Sequence, residues 1–221
     1  MNLLKLALTL TFLASLNSYS QSEYKVDKRP QNQKEHNLSD VEDISLSDMM
    51  EILEFQGIKI NKFKLGKFDK PYNISLIADE YLNGKLISSD TIVNTSNTYI
   101  HFKSEKPFYD FIDQITIITK NIPGEKKSQL LIKTYGFSMS RLMNMKNVEK
   151  ENSLNWVKYT DTKWQLNKKI PLLIYASSWL DEKYNIRRFC GVNTLIEGDK
   201  DTIELLNSSP NYVKISYLVS E

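Results

Sequence analysis

The chain predicts an all-β fold: an antiparallel β-sandwich or barrel-like domain of about ten strands, preceded by one short N-terminal helix. Three observations carry that prediction. Asn83-Gly84 stands between two alternating apolar and polar stretches, and this pair tolerates the positive φ that a two-residue hairpin turn needs at both central positions. Short segments rich in Val, Ile, Thr, Tyr and Phe recur at brief intervals through the rest of the sequence. Helical features are clear only over residues 48–55.

Ahead of the domain, residues 1–20 read as a cleavable signal peptide. Lys5 supplies the positive n-region, and Leu6, Leu8, Leu10, Phe12, Leu13 and Leu16 form an apolar core too short to span a bilayer. Ser18 and Ser20 are the small residues that signal peptidase requires, so the mature chain is expected to begin at Gln21, exported, with the periplasm favoured over the cell surface. No cysteine lies near the junction to take a lipid anchor. Residues 21–46 are polar and charged, a flexible lead-in, and residues 47–221 form a single β-rich domain.

Lys and Arg total 29 against 27 Asp and Glu, so net charge gives no case for nucleic-acid binding. Cys190 is the one cysteine and has no partner for an intramolecular disulfide. No second apolar run predicts a transmembrane segment in the mature chain.

In chain order, Ser47 is the expected cap of a helix over 48–55, with Met49, Ile52 and Leu53 as its apolar stripe and Gly57 as its stop. Ile58, Ile60, Phe63, Leu65 and Phe68 are spaced by lysines at 59, 62, 64, 67 and 70. This pattern suits a strand with edge-protecting lysines, or an edge that meets an anionic ligand. Residues 72–82 and 85–93 flank Asn83-Gly84; a simple register pairs Ile74 with Val93, Leu76 with Thr91, Ala78 with Ser89 and Glu80 with Ile87. Asp79, Ser88 and Asp90 then share the polar face. Further strands are predicted at 98–102, 109–119, 129–135, 137–145, 156–166, 170–176, 184–191, 202–206 and 212–219. Residues 147–155 form a charged loop or one short helix. Phe137, Met139, Met143 and Met145 share a face interrupted by Arg141, which reads as core filling, set against an adaptable binding or metal surface.

Chemistry-bearing constellations are sparse, and no catalytic residue, metal site or cofactor is expected. His36 lies in the lead-in and His101 in a strand, too few for a histidine-built zinc site. A Cys190–His101 nucleophile pair has no surrounding motif. Asp110 with Asp113, Asp79 with Glu80, and Asp181 with Glu182 are carboxylate pairs of the kind glycoside cleavage uses, but that reaction is defined by a separation in space. Glu197, Asp199 and Asp201 alternate around Gly198, a spacing that gathers oxygens around calcium, with Lys200 arguing for a solvated turn instead. Trp156, Tyr159, Trp164, Tyr175 and Trp179 crowd one region of sequence. They are the expected ligand-binding residues, as a stacking platform for sugar rings, set against plain core packing.

The junction Leu16-Asn17-Ser18-Tyr19-Ser20-Gln21, the Asn83-Gly84 hairpin and the run at 212–219 together resemble short uncharacterised exported proteins of the Bacteroidota, a domain of unknown function. The resemblance implies no activity. It does imply O-glycosylation at Asp followed by Ser or Thr and an apolar residue, which Asp90-Thr91-Ile92 and Asp201-Thr202-Ile203 match, making Thr91 and Thr202 the acceptors. The expected function is that of a non-catalytic exported domain binding an envelope protein or glycan. Alternatives are a carboxylate-based, glycan-directed hydrolase, and a structural subunit assembling by strand addition through an exposed edge at 212–219.

Overall fold

Period-two alternation in the sequence becomes two sheets that bury one face each against the other. In the computed structural model, which describes residues 44–146, 148–189 and 194–221, one compact unit runs from Ser45 to Glu221. The predicted signal peptide at 1–20, residues 21–43 of the predicted lead-in with His36, and Cys190 lie outside the described residues.

Helix α1 (Leu46–Phe55) is followed by β1 (Ile58–Lys64), β2 (Asn73–Leu82), β3 (Lys85–Ser96), β4 (Thr98–Lys103), β5 (Lys106–Phe111), β6 (Gln114–Asn121) and β7 (Lys127–Lys133). Then come β8 (Ser138–Asn144), β9 (Leu154–Tyr159), β10 (Lys169–Ser177), β11 (Trp179–Asp181), β12 (Ile186–Arg188), β13 (Thr194–Leu195), helix α2 (Lys200–Ser208) and β14 (Asn211–Ser220). A four-stranded sheet has the order β1-β6-β7-β8, and a six-stranded sheet the order β13-β9-β10-β14-β2-β3. Two separate hairpins, β4-β5 and β11-β12, complete the strands. All ladders are antiparallel except β13 with β9, which is parallel.

The main core lies between the two sheets. Ile115, Ile117, Leu130 and Ile132 from one meet Leu76, Leu173, Ile215 and Val219 from the other, all essentially inaccessible. A second cluster covers the opposite face of the six-stranded sheet, where Leu205 of α2 packs on Val157, Ile174, Leu195 and Tyr212. With both faces covered, β10 reads Ile-Pro-Leu-Leu-Ile-Tyr-Ala, a nearly continuous apolar run, and Pro171 sits at a register shift where a ladder hydrogen bond is already broken. Met143 and Met145 fill the main core, while Arg141 on the same face reaches Asp90 in an ion pair joining β8 to β3.

Several expectations need correction. Ser45, not Ser47, caps α1: its Oγ accepts the Asp48 N–H at 3.2 Å, and the Asp48 carboxylate accepts the Ser45 N–H at 2.7 Å. This reciprocal box also holds the Asp48 carboxyl below its ordinary pKa, chiefly through the Ser45 backbone bond. The helix buries none of its residues, and the expected stripe residues Met49 and Ile52 are 55 % and 53 % exposed. Asn83 and Gly84 do take positive φ, 48° and 73°, but the hairpin register slips twice beyond the turn. Ile74 therefore faces Thr95, Leu76 faces Val93, Ala78 faces Asp90 and Glu80 faces Ser88. The extra residues in β3 are Ile87 and Ile92; the second bulge lets Ile92 enter the core. Asp79 is not on a solvated face: it is 2 % exposed, with Lys169 Nζ 2.9 Å from both its oxygens and Ser89 Oγ donating at 2.6 Å.

Residues 109–119 divide at Ile112 and Asp113 into β5 and β6, and residues 156–166 keep strand geometry only to Tyr159. The predicted strand at 202–206 is the helix α2, because Asp199 caps it and Thr202 with Leu205 supply a buried face at helical spacing. Residues 212–219 fall in β14, which is paired on both sides and presents no edge.

At one end of the sandwich Trp164 packs with Phe68 and Tyr72, ring centroids 5.3 and 5.8 Å away, and its indole lies against Gly66. Gly66 has φ +155°, and a Cβ there would overlap the indole. Gly66→Ala should destabilise the fold by roughly 1–3 kcal/mol, the usual cost of forcing atoms into a packed site; urea unfolding monitored by fluorescence checks it, and an unchanged midpoint would refute this packing. Burial also pushes the hydroxyls of Tyr175, Tyr212 and Tyr217 up to about 12 from 10.0. The folded state then keeps protons that the unfolded chain releases above pH 10, so the stability linked to them is intact below that pH and lost as pH climbs towards 12. Near-ultraviolet circular dichroism and tyrosinate absorbance should change together in that window; ionisation of every tyrosine with the fold retained would contradict it.

Candidate functional site

The expected aromatic platform is taken apart by strand geometry. Trp156 and Tyr159 are an odd number of residues apart on β9, so they face opposite sides of the sheet. Trp156, 3 % exposed, stacks on Tyr175 at 4.6 Å in the main core, and its Nε1 donates to Ser128 Oγ at 2.8 Å. Tyr159, 4 % exposed, joins Leu195 and Leu205 on the other face, where burial raises its pKa. Trp164 caps the sandwich over Gly66, and Trp179 is half-buried at the start of β11. Only Trp156 and Tyr175 are brought together, and neither has a ring face open to a ligand.

The remaining sequence candidates separate in the same way. Thr91 is exposed on the edge strand β3, whereas Thr202 is 2 % exposed and its Oγ1 accepts the Ile196 N–H at 3.1 Å, which closes it to glycosylation in the folded protein. Asp199 spends its carboxylate on the Asp201 N–H at the start of α2, and among the described residues no three His, Cys, Asp or Glu side chains form a group that could hold a metal ion. Asp90 is held by Arg141 beside Glu80 in a cavity of about 220 Å³ between β3 and β8. His101 lies between the rings of Tyr99 and Phe108, each 5.7 Å away, with its Nδ1 buried and unpartnered.

A larger cleft, about 540 Å³, opens on the outer face of the four-stranded sheet beneath the base of the β4-β5 hairpin. Asn97 holds that hairpin in place. It is fully buried; its Oδ1 and N–H bond the Tyr72 backbone at 2.8 and 3.0 Å, and its carbonyl accepts the Ile112 N–H at 2.6 Å. The Asp113 carbonyl accepts the Leu65 N–H at 2.7 Å, so both legs of the hairpin are tied to the sandwich.

The floor of the cleft follows from register. Lys62 pairs with Thr116 and Thr116 with Lys133, placing the three in one transverse row on one face. Ile60, Ile118 and Leu131 form the next outward-facing row. Tyr99 of β4 and Tyr135 of the β7-β8 turn make the wall, ring centroids 4.2 Å apart at 32°. Tyr135 remains 71 % exposed. The Tyr99 hydroxyl donates to Asp110 at 3.3 Å, and burial, then Asp110, raise its pKa, so it stays a neutral donor. Phe111, Asp113 and Gln114 complete the rim, and Thr134 Oγ1 is buried without a partner beside it.

This arrangement offers an aromatic wall, a floor whose polar row of Lys62, Thr116 and Lys133 adjoins the apolar Ile118, and one carboxylate at the rim. The five lysines singled out by spacing divide: Lys62 enters the cleft, Lys59 donates to the Trp156 carbonyl at 3.2 Å, and Lys70 pairs with Glu221 at 2.6 Å. Tyr99 and Tyr135 are not prominent in sequence. One signal does point to Tyr135: an aromatic followed by Gly136 in a tight turn has no sheet beneath it to pack against.

No helix among the described residues is long and apolar enough to cross a membrane. Neither a curated protein nor a solved structure matches the chain. A family model described as Domain of unknown function (DUF5041) matches residues 29–221, from within the polar lead-in through β14. The chain therefore belongs to the DUF5041 family.

Proposed function

We propose that this is an exported, non-catalytic binding domain of the cell envelope and that the cleft beneath the β4-β5 hairpin receives a glycan. The observation that carries this reading is the close, tilted Tyr99–Tyr135 pair beside a sheet face that alternates a polar row with an apolar one. A pyranose ring presents apolar C–H faces and hydroxyl edges. Aromatic stacking suits the faces, and the Thr116 hydroxyl, the Gln114 amide and the lysines suit the edges. Export rests on the signal pattern in residues 1–20.

The hydrolase alternative draws on Asp79 with Glu80, Asp110 with Asp113 and Asp181 with Glu182, but Lys169 engages Asp79, the Tyr99 hydroxyl donates to Asp110 and Arg188 engages Asp181. Among the residues lining the larger cleft Asp113 is the one carboxylate, whereas glycoside cleavage uses two. Strand addition through residues 212–219 has no free edge to use, since β14 lies between β10 and β2.

Calorimetric titration of the protein with envelope-derived oligosaccharides tests the reading. Binding should weaken about ten-fold in Tyr135→Ala, in line with loss of one aromatic contact, while the melting temperature stays constant because that ring is largely exposed. Absence of binding to every oligosaccharide, or full affinity in Tyr135→Ala, would sink the proposal.

A further inference from the structure

We infer that the ligand of this cleft is an anionic saccharide, one whose sugar ring stacks on Tyr135 and whose negatively charged substituent sits over Thr116 between Lys62 and Lys133. The inference rests on the cleft reading above and adds the ligand's chemical class.

Lys62 and Lys133 flank Thr116 from the two neighbouring strands, so their Cα atoms stand about 10 Å apart, two strand spacings, on the same face. Neither has an ion-pair or hydrogen-bond partner for its ammonium among the described residues. Three lysines elsewhere do have acid partners: Lys70 reaches Glu221 and Lys127 reaches Glu125, each at 2.6 Å, and Lys169 reaches Asp79 at 2.9 Å.

Edge protection explains Lys62, which lies on the edge strand β1, but not Lys133. Lys133 is on β7, an interior strand between β6 and β8, where no free edge exists to protect. What the two share is the cleft. Both side chains are solvent-exposed and line it from either side of Thr116, with Ile118 and Phe111 beside them, so two like charges share one part of the cleft. An anion between them can accept from both ammonium groups and from the Thr116 hydroxyl. Asp113, at the Gln114 end of the cleft, repels a second negative group, so the ligand is read in one orientation, charge towards the lysine row and hydroxyls towards Asp113.

The test compares three oligosaccharides of equal length by calorimetry: neutral, uronate-bearing and sulfate-bearing. The expected result is at least ten-fold tighter binding of a charged form over the neutral one, with the stronger of the two identifying the anion. That preference should collapse in the double variant Lys62→Met, Lys133→Met and at high salt, while Lys127→Met, outside the cleft, keeps it. Tyr135→Ala should weaken charged and neutral ligands alike. Equal affinity for all three, still lost in Tyr135→Ala, overturns the charge assignment and leaves the cleft reading standing. Binding that ignores Tyr135→Ala overturns both. Melting curves of the double variant separate a lost site from a lost fold, and a second pair, Lys62→Gln and Lys133→Gln, repeats the comparison if the methionine variant fails to fold.

Discussion

β14 has no solvent-facing edge, and the architecture is arranged around that constraint. It pairs with β2 over ten successive residues and with β10 on its other side. Val213, Ile215, Tyr217 and Val219 go to the inter-sheet core, while Tyr212 goes to the face covered by α2. One strand therefore serves both hydrophobic clusters, and neither cluster is complete without it. From β2 the sheet extends to β3, whose Asp90 meets Arg141 of β8 across the open side of the sandwich. From β10 it extends to β9, whose Trp156 donates to Ser128 of β7 across the core. Lys169 of β10 reaches over to Asp79 of β2, closing a buried carboxylate that would otherwise be costly in an apolar setting.

The cleft is built on this frame by polar contacts that hold irregular backbone in place. Tyr217 donates its hydroxyl to the Leu65 carbonyl at 2.7 Å, which fixes the segment leaving β1; the N–H of the same Leu65 bonds Asp113 at the foot of the hairpin. Asn97 performs the complementary task on the other leg. The hairpin itself contributes little to either core, and Ile100, Phe102 and Tyr109 on its far face are mostly exposed. Its position is thus determined at its base and by the contact of Tyr99 with Tyr135, so the element that walls the cleft is also among the least buried parts of the sandwich.

Local signals in the sequence translated well where one residue pair or one run decides the outcome. Asn83-Gly84 marked its turn, and the apolar run at 170–176 marked the strand β10. Register did not translate: one bulge, at the exposed Ile87, follows closely on the turn, and the other is set by the core that Ile92 enters, far from the turn. The segment around Thr202 was misread for a related reason: Ile203 and Leu205 alternate as a strand would, and only the Asp199 cap with the Thr202–Leu205 spacing selects the helix. The aromatic crowd at 156–179 illustrates a third failure, since closeness in sequence says nothing about a shared face once strand parity separates Trp156 from Tyr159.

The candidate site was the least legible part because every contact that defines it is long-range. Tyr99 and Tyr135 belong to different hairpins, and Lys62, Thr116 and Lys133 come from three strands whose order is not sequential. The lysine spacing of β1 raised two readings, edge protection and an anionic partner, and nothing local separates Lys59, which bonds a backbone carbonyl, from Lys62, which lines the cleft. Tyr135 is the sharper case. An aromatic that leaves 71 % of its surface in water contributes little to burial, so stability alone gives no account of a ring held 4.2 Å from Tyr99 at the mouth of a cleft. The glycan site proposed above uses that contact to orient an exposed ring beside the ammonium groups of Lys62 and Lys133.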